Sequence, residues 1–254
     1  MKKTTKIFAL AMTLIAATTG TALATPSTQI WIPSTDVQAY KTVHLGIDNY
    51  IRTSKNGPAS NTFDGGITVG VLPFEKLQLE VGGDYMETGT SSPADSSPFY
   101  FNAKLGTPED SLFKGSPALA AGGYNFGTKL GVTTQNISYV LAAKTLPAFG
   151  AVPSLGRISA GYYHGSGKVL VDRDGKAAND GVLLSWDRTM SEISDKLWMA
   201  VDYQSGNSAV GALNFGISWA FSKNVSLIVA YDIYNDSYTG GKNTVTTQLD
   251  INIP

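Results

Sequence analysis

Two histidines and a scattered set of acidic side chains are what this chain can offer for chemistry. His164 stands two residues before Ser166 in the run Gly161-Tyr162-Tyr163-His164-Gly165-Ser166-Gly167-Lys168, and positions i and i+2 of an extended chain share one face. An imidazole beside a hydroxyl in that way can serve as the base that activates a serine nucleophile. No third residue to orient the imidazole can be named, and a histidine among Gly and Ser is also ordinary surface. A second group, His44, Asp48, Asp64, Glu80, Asp84, Asp202, Asp232 and Asp250 with Lys104, Lys144 and Arg157, falls at alternate positions within apolar stretches. Such spacing gathers charge on one side of a sheet, where it can line a path for solutes or pair and fill it. Asp172-Arg173-Asp174-Gly175 begins like a calcium loop but lacks the later ligands, so it reads as a turn. There is no Gly-rich phosphate loop, His-Glu-x-x-His or pair of catalytic carboxylates, so no cofactor or metal is expected.

The elements that position these residues must be built from an unusual composition. Of 254 residues only 15% are charged, 10% are aromatic, 27 are glycine and none is cysteine. A quarter of residues charged is the globular norm, and without sulfur no disulfide or thiolate-bound metal is available. Nineteen basic against twenty acidic residues leave no basic stripe for nucleic acid, which is not expected as a partner. The first 24 residues read as a cleaved export signal: Lys2, Lys3 and Lys6, an apolar run over 7–17, and Ala22-Leu23-Ala24 before Thr25. That run is about half of the ~20 residues a membrane-spanning helix needs. Cleavage removes three lysines and no acid, so the exported chain is net negative.

Beyond the leader, a hydrophobic period of two recurs. Leu77, Leu79, Val81 and Tyr85 alternate with Gln78, Glu80, Gly82 and Asp84; Leu213, Phe215, Ile217, Trp219 and Phe221 alternate with Asn214, Gly216, Ser218 and Ala220. Each set takes one face of a strand. Ile137, Tyr139 and Leu141 are assigned by the same logic to the apolar face, opposite Asn136 and Ser138. About twelve strands are predicted, near 40–52, 62–72, 76–87, 98–106, 115–126, 133–145, 154–166, 179–189, 194–205, 208–222, 224–235 and 243–253; ten fit if 98–126 is one irregular hairpin.

A soluble sandwich also alternates, but its inward face must be bulky. Here the face opposite the large apolar residues is Gly, Ala, Ser, Asn, Asp and Lys, which suits a barrel with lipid outside and a polar lumen. Tyr85, Phe99, Tyr203 and Tyr231 toward one end of the strands, and Phe74, Trp219 and Phe221 toward the other, fit aromatic girdles at the two membrane surfaces. The fold expected is all-β: one transmembrane, antiparallel, up-and-down barrel over 39–254, preceded by a segment 25–38 that lies free in the periplasm or folds back as a plug. Trp31 between Ile30 and Ile32 favours docking, since that surface is costly to leave in water.

The stretches TPSTQIWIPSTDVQAYKTVHLGIDNY and LNFGISWAFSKNVSLIVAYDIYN resemble small Gram-negative outer-membrane β-barrel proteins, uncharacterised or of transporter type, and the likeness in class extends over 39–254. The terminal Phe or Tyr usual in such barrels is absent, the chain ending Ile251-Asn252-Ile253-Pro254. The resemblance implies the outer membrane as location. Its implied partners are outer-membrane lipid and lipopolysaccharide, with periplasmic chaperones and the barrel assembly machinery during biogenesis.

Four functions follow for weighing. A barrel of about twelve strands lies between side-chain-filled and wide-pored sizes, and its acidic balance favours a narrow channel for small polar or cationic solutes. Glu80, Asp84, Asp202 and Asp232 would form one acidic constriction, unless Lys104, Lys144 and Arg157 pair with the acids and close the lumen. The His164-x-Ser166 pattern is similar to that of outer-membrane phospholipases and lipid A deacylases, although Gly167 stands where those families place Asn. A closed structural barrel and a soluble exported binding protein complete the set.

Overall fold

The computed structural model describes residues 28–54, 61–89, 92–150 and 154–254. The expected leader, 1–24, lies outside the described residues. Twelve strands follow one another: β1 (Val43–Arg52), β2 (Thr62–Gly70), β3 (Gln78–Glu87), β4 (Phe99–Thr107), β5 (Ala118–Gly127), β6 (Thr134–Thr145), β7 (Arg157–His164), β8 (Asp180–Thr189), β9 (Leu197–Gln204), β10 (Ala212–Ser222), β11 (Val225–Tyr234) and β12 (Thr244–Ile253). Each pairs antiparallel with its neighbours in sequence, and β1 pairs with β12 from Val43↔Ile253 to Arg52↔Thr244, so the sheet closes into a barrel without an edge. The region 98–126 is therefore two strands; its irregularity survives as a register shift between Phe101 and Ala103.

An even strand count puts both ends of the barrel at one rim. That rim carries the β2–β3, β4–β5, β6–β7, β8–β9 and β10–β11 connections, and the opposite rim carries the β1–β2, β3–β4, β5–β6, β7–β8, β9–β10 and β11–β12 connections. In barrels of this kind the terminal rim is periplasmic and the other, with longer loops, is external. Around the outside runs a belt of exposed Ile, Val, Leu and Phe that includes Ile67, Val81, Phe101, Val140, Ile158, Leu184, Val201, Ile217 and Val229. Edge-to-face pairing of Tyr85 with Phe99 (centroids 5.6 Å apart) marks its external border, and Trp219 and Phe221 its periplasmic one.

The interior holds the N-terminal segment. Residues 28–38, called the strap here, lie inside the barrel, with Gln29, Ile30, Ile32, Ser34, Thr35, Val37 and Gln38 all buried. A tight turn joins Gln29 N–H to Ile32 C=O (2.8 Å). Ile30 packs among Trp198, Ala200, Ile228 and Ala230, while Ile32 packs among Ala120, Ile137, Tyr139, Leu141, Tyr163, Leu170, Leu183 and Val210. Each buried isoleucine contributes ~1.5–3 kcal/mol. This corrects the reading of β6: Ile137, Tyr139 and Leu141 point into the lumen and Val140 points out, because the apolar residues cover Ile32 rather than lipid.

Two glycines make the strap's path possible. A Cβ on Gly70 would lie 2.0 Å from the Ala39 carbonyl oxygen, and one on Gly106 would lie 2.7 Å from Val37 Cγ2. The strap then leaves the barrel beside Gly70, where Tyr40 forms a parallel bridge to it, and turns at Lys41 (φ 67°) into β1.

Candidate functional site

The lumen is divided lengthwise by the strap. On the β7–β12 side the strap is held by polar groups. Asp202 Oδ2 accepts the backbone N–H of Ile30 (2.8 Å), Trp31 (2.8 Å) and Ile32 (3.4 Å), while its Oδ1 accepts Asn214 Nδ2 (2.7 Å). Gln248 Nε2 donates to the Ile30 carbonyl (2.7 Å), and Gln29 Nε2 donates to Asp187 Oδ1 (2.9 Å). Arg157 donates two parallel hydrogen bonds to Asp36 (2.7 and 2.8 Å) and a third from Nε to Asp187 (3.1 Å). Trp31 Nε1 donates to Val210 C=O (2.9 Å), and its ring meets those of Tyr50 and Tyr234 edge-on.

At the periplasmic end lies a polar floor. Gln38 N–H donates to Glu80 Oε2 (2.7 Å), and Glu80 also pairs with Lys104 (3.1 Å). Asn252 Oδ1 accepts from Gln38 Nε2 (3.1 Å) and His44 Nδ1 (3.2 Å), and His44 Nε2 lies 3.7 Å from Asp250.

On the other side, against β1–β5, a cavity of about 370 Å³ remains between the strap and the wall. Its lining runs from His44, Glu80, Lys104 and Asp250 at the floor, past Asp48, Asp64 and Asp84, to Arg52, Thr62, Thr88 and Gly240 at the external end. Asp48 faces Asp64 directly across β1 and β2, and Asp84 lies on the next strand, opposite Gly66. The close approach is deliberate in geometry: a Cβ on Gly66 would sit 2.5 Å from Asp84 Oδ1. Asn102 donates to Asp84 (2.7 Å), whereas Asp64 Oδ1 is sealed from solvent without a hydrogen-bond partner. Trp31, Tyr50, Tyr124, Tyr139 and Tyr234 supply aromatic wall. At the external end Arg52 donates to the Gly240 carbonyl (2.8 Å) and stacks over Tyr234 (4.8 Å). Above it Arg173, in the loop after β7, holds Asp236, in the loop after β11, through two hydrogen bonds (2.6 and 2.8 Å). The guanidinium pushes the Asp236 carboxyl down to about 2.

Of the residues singled out in the sequence, His44, Asp48, Asp64, Glu80, Asp84, Lys104, Arg157, Asp202, Asp232 and Asp250 are on the inward face. Lys144 is not. With β6 turned the other way it reaches the periplasmic rim and pairs with Glu109 (2.6 Å) and Asp110 (3.6 Å). Nor do Glu80, Asp84, Asp202 and Asp232 make one constriction. Glu80 belongs to the floor and Asp84 to the cavity, Asp202 is capped by the strap, and Asp232 is fully buried with hydroxyl donors Thr244 and Thr246 on Oδ2. Asp187 and Asp36 were missed. Asp187 sits next to Trp186 in a strand without clean alternation, and Asp36 sits in a segment without periodicity.

His164 and Ser166 are not brought together. His164 is exposed on the outward face of β7, Ser166 opens the following turn, and no hydrogen bond joins them. The outward neighbours of His164 across the sheet are Ser138 on β6 and Asp180 on β8, and neither is within ion-pair or hydrogen-bond reach of it among the described residues; Asp180 instead accepts from Tyr162.

No protein-family model matches the chain, and no curated protein sequence matches it. Among solved structures it is similar to a KdgM porin (TM-score 0.49, 9% identity, covering 84% of this chain and 98% of that one), to a NanC porin (0.42, 9%, 83% and 99%) and to Salmonella typhi OmpF in complex with daunomycin (0.40, 8%, 84% and 96%).

Proposed function

We infer that the protein is an outer-membrane channel, narrowed by its own strap, that passes small polar and cationic solutes along the β1–β5 wall. Its place in the membrane rests on the belt: a continuous apolar surface around a closed barrel is far beyond the exposed patches that water tolerates, and it matches the band that lipid requires.

The observation that carries the transport reading is the cavity. It follows the wall from the external loops to the floor, and the carboxylates of Asp48, Asp64, Glu80, Asp84 and Asp250 on its lining outnumber the cations Arg52 and Lys104. The cations on that wall are engaged, Lys104 by Glu80 and Arg52 by loop carbonyls and a tyrosine ring. A narrow lumen walled by low-dielectric material strengthens such a field, which attracts cations and excludes anions. Planar-bilayer recording of refolded protein tests the reading: small, cation-selective conductance supports it, and a silent or anion-selective bilayer contradicts it.

A closed barrel is the second reading, favoured by the floor. Gln38, Glu80, Lys104, His44, Asn252 and Asp250 knit the strap to four strands where the cavity would meet the periplasm. Passage therefore requires these side chains to part, and a silent bilayer that stays silent when the floor is cut would favour closure.

A further inference from the structure

The cavity holds more negative charge than the chain itself neutralises. Asp48, Asp64 and Asp84 make no ion pair among the described residues. Their hydrogen bonding is also incomplete. Asp84 has the Asn102 amide, but Asp64, which also lines the cavity, has its Oδ1 cut off from solvent and accepting nothing. On the same inward face the fully buried Asp232, whose Oδ2 accepts from Thr244 and Thr246, carries a second unpartnered oxygen, Oδ1. Buried carboxylates left this way are costly unless a cation joins them.

Their spacing says which cation. Across three neighbouring strands, about 4.8 Å apart, the carboxylates form an arc of roughly 10 Å. A bound metal ion would need oxygens converging to within about 2.0–2.6 Å of one point, and no group of three acidic or histidine side chains among the described residues does so. An arc suits a ligand that carries its donors on separate atoms. The volume of about 370 Å³ equals that of about a dozen waters at ~30 Å³ each, enough for a short organic cation. Tyr50, beside Asp48 and meeting Trp31 at 5.5 Å, offers a ring on which a planar cation can stack. A guanidinium uses both features, since it bonds a carboxylate with two parallel donors and lies flat on an aromatic face.

We propose that Asp48, Asp64 and Asp84, with the Tyr50 ring, form a binding site for a small organic cation bearing a guanidinium or primary ammonium group, part-way along the channel. Tyr124, Tyr139 and the strap's Trp31 line the same cavity, so the strap is one wall of the site as well as a restriction of the lumen. This deepens the channel reading and rests on it for the route by which the ligand arrives.

The test uses agmatine on the refolded full-length barrel, by calorimetry and as a blocker of sodium current, with glycerol and gluconate as neutral and anionic controls. Agmatine should bind saturably and block reversibly, and the controls should do neither. Asp64→Asn with Asp84→Asn should weaken binding at least tenfold, while Asp172→Asn in the external loop should leave it unchanged; heat-modifiable migration on gels establishes that each variant is folded. Sodium conductance without agmatine binding, or binding equal in all variants, overturns the site and leaves the channel standing. Binding that depends on Asp64 and Asp84 in a barrel that never conducts upholds the site and overturns the channel. Neither binding nor conductance overturns both.

Discussion

Arg157 on β7 grips Asp36 of the strap through two parallel hydrogen bonds of 2.7 and 2.8 Å, while its Nε holds Asp187 on β8. One guanidinium thus ties the strap to two wall strands at a residue that lies along the strap between the Asp202 clasp and Gln38. Asp36→Asn should loosen the lower strap without unfolding the barrel. The pair is part-exposed, so the cost falls between surface and buried ion pairs, about 1–3 kcal/mol. Single-channel recording should show larger and noisier current, and an unchanged trace would mean that the strap does not limit flow.

Asp202 is the deeper anchor. Asp202→Ala leaves three strap N–H groups without their acceptor in a buried setting, at about 1–3 kcal/mol for each unsatisfied group. Denaturant unfolding should register a loss well above that of Asp36→Asn. Equal losses would mean that Asp202 is not what holds the turn at 29–32.

The belt gives a depth-dependent expectation. Ile217 and Val229 face each other at the middle of β10 and β11 and are both exposed outward. Either one changed to Arg should cost ~2–4 kcal/mol in lipid, whereas Ser222→Arg at the rim should cost at most ~1 kcal/mol. Similar costs at both depths would place the bilayer elsewhere.

For the external loops the sign follows from the Asp236 carboxyl being held at about 2 by Arg173. A lowered carboxylate contributes its pairing fully above the ordinary range near 3.9 and loses it as pH falls through about 2. Pepsin should therefore cut the loops after β7 and β11 slowly at pH 4 and readily below pH 2. Asp236→Asn should be cut readily at both, and pH-independent resistance in the native protein would show that the pair does not hold the loops.

Much of the fold was legible because lipid imposes a period of two on every strand, as Leu213 to Phe221 display. The misreading of β6 has one local cause. On β6 the apolar residues Ile137, Tyr139 and Leu141 face inward to cover Ile32, a partner more than a hundred residues earlier, and alternation cannot say which medium an apolar face meets. Lys144 went wrong with them, since its face follows from theirs. Trp31 did signal docking, but Asp36 and Asp187 acquire meaning only through Arg157, which no spacing connects to them. The His164-x-Ser166 pattern was legible and misleading: adjacency along a strand did not bring the two side chains together. A fluorophosphonate probe should leave the barrel unlabelled, and labelling at Ser166 or Ser138 would reopen hydrolysis.

If solutes pass the strap along the acidic wall, the reversal potential across a planar bilayer in a potassium chloride gradient must report it. The native protein should favour potassium over chloride, and Asp48→Asn with Asp64→Asn and Asp84→Asn should bring the potential toward zero while conductance persists. Chloride preference, or a potential indifferent to these three substitutions, would contradict it.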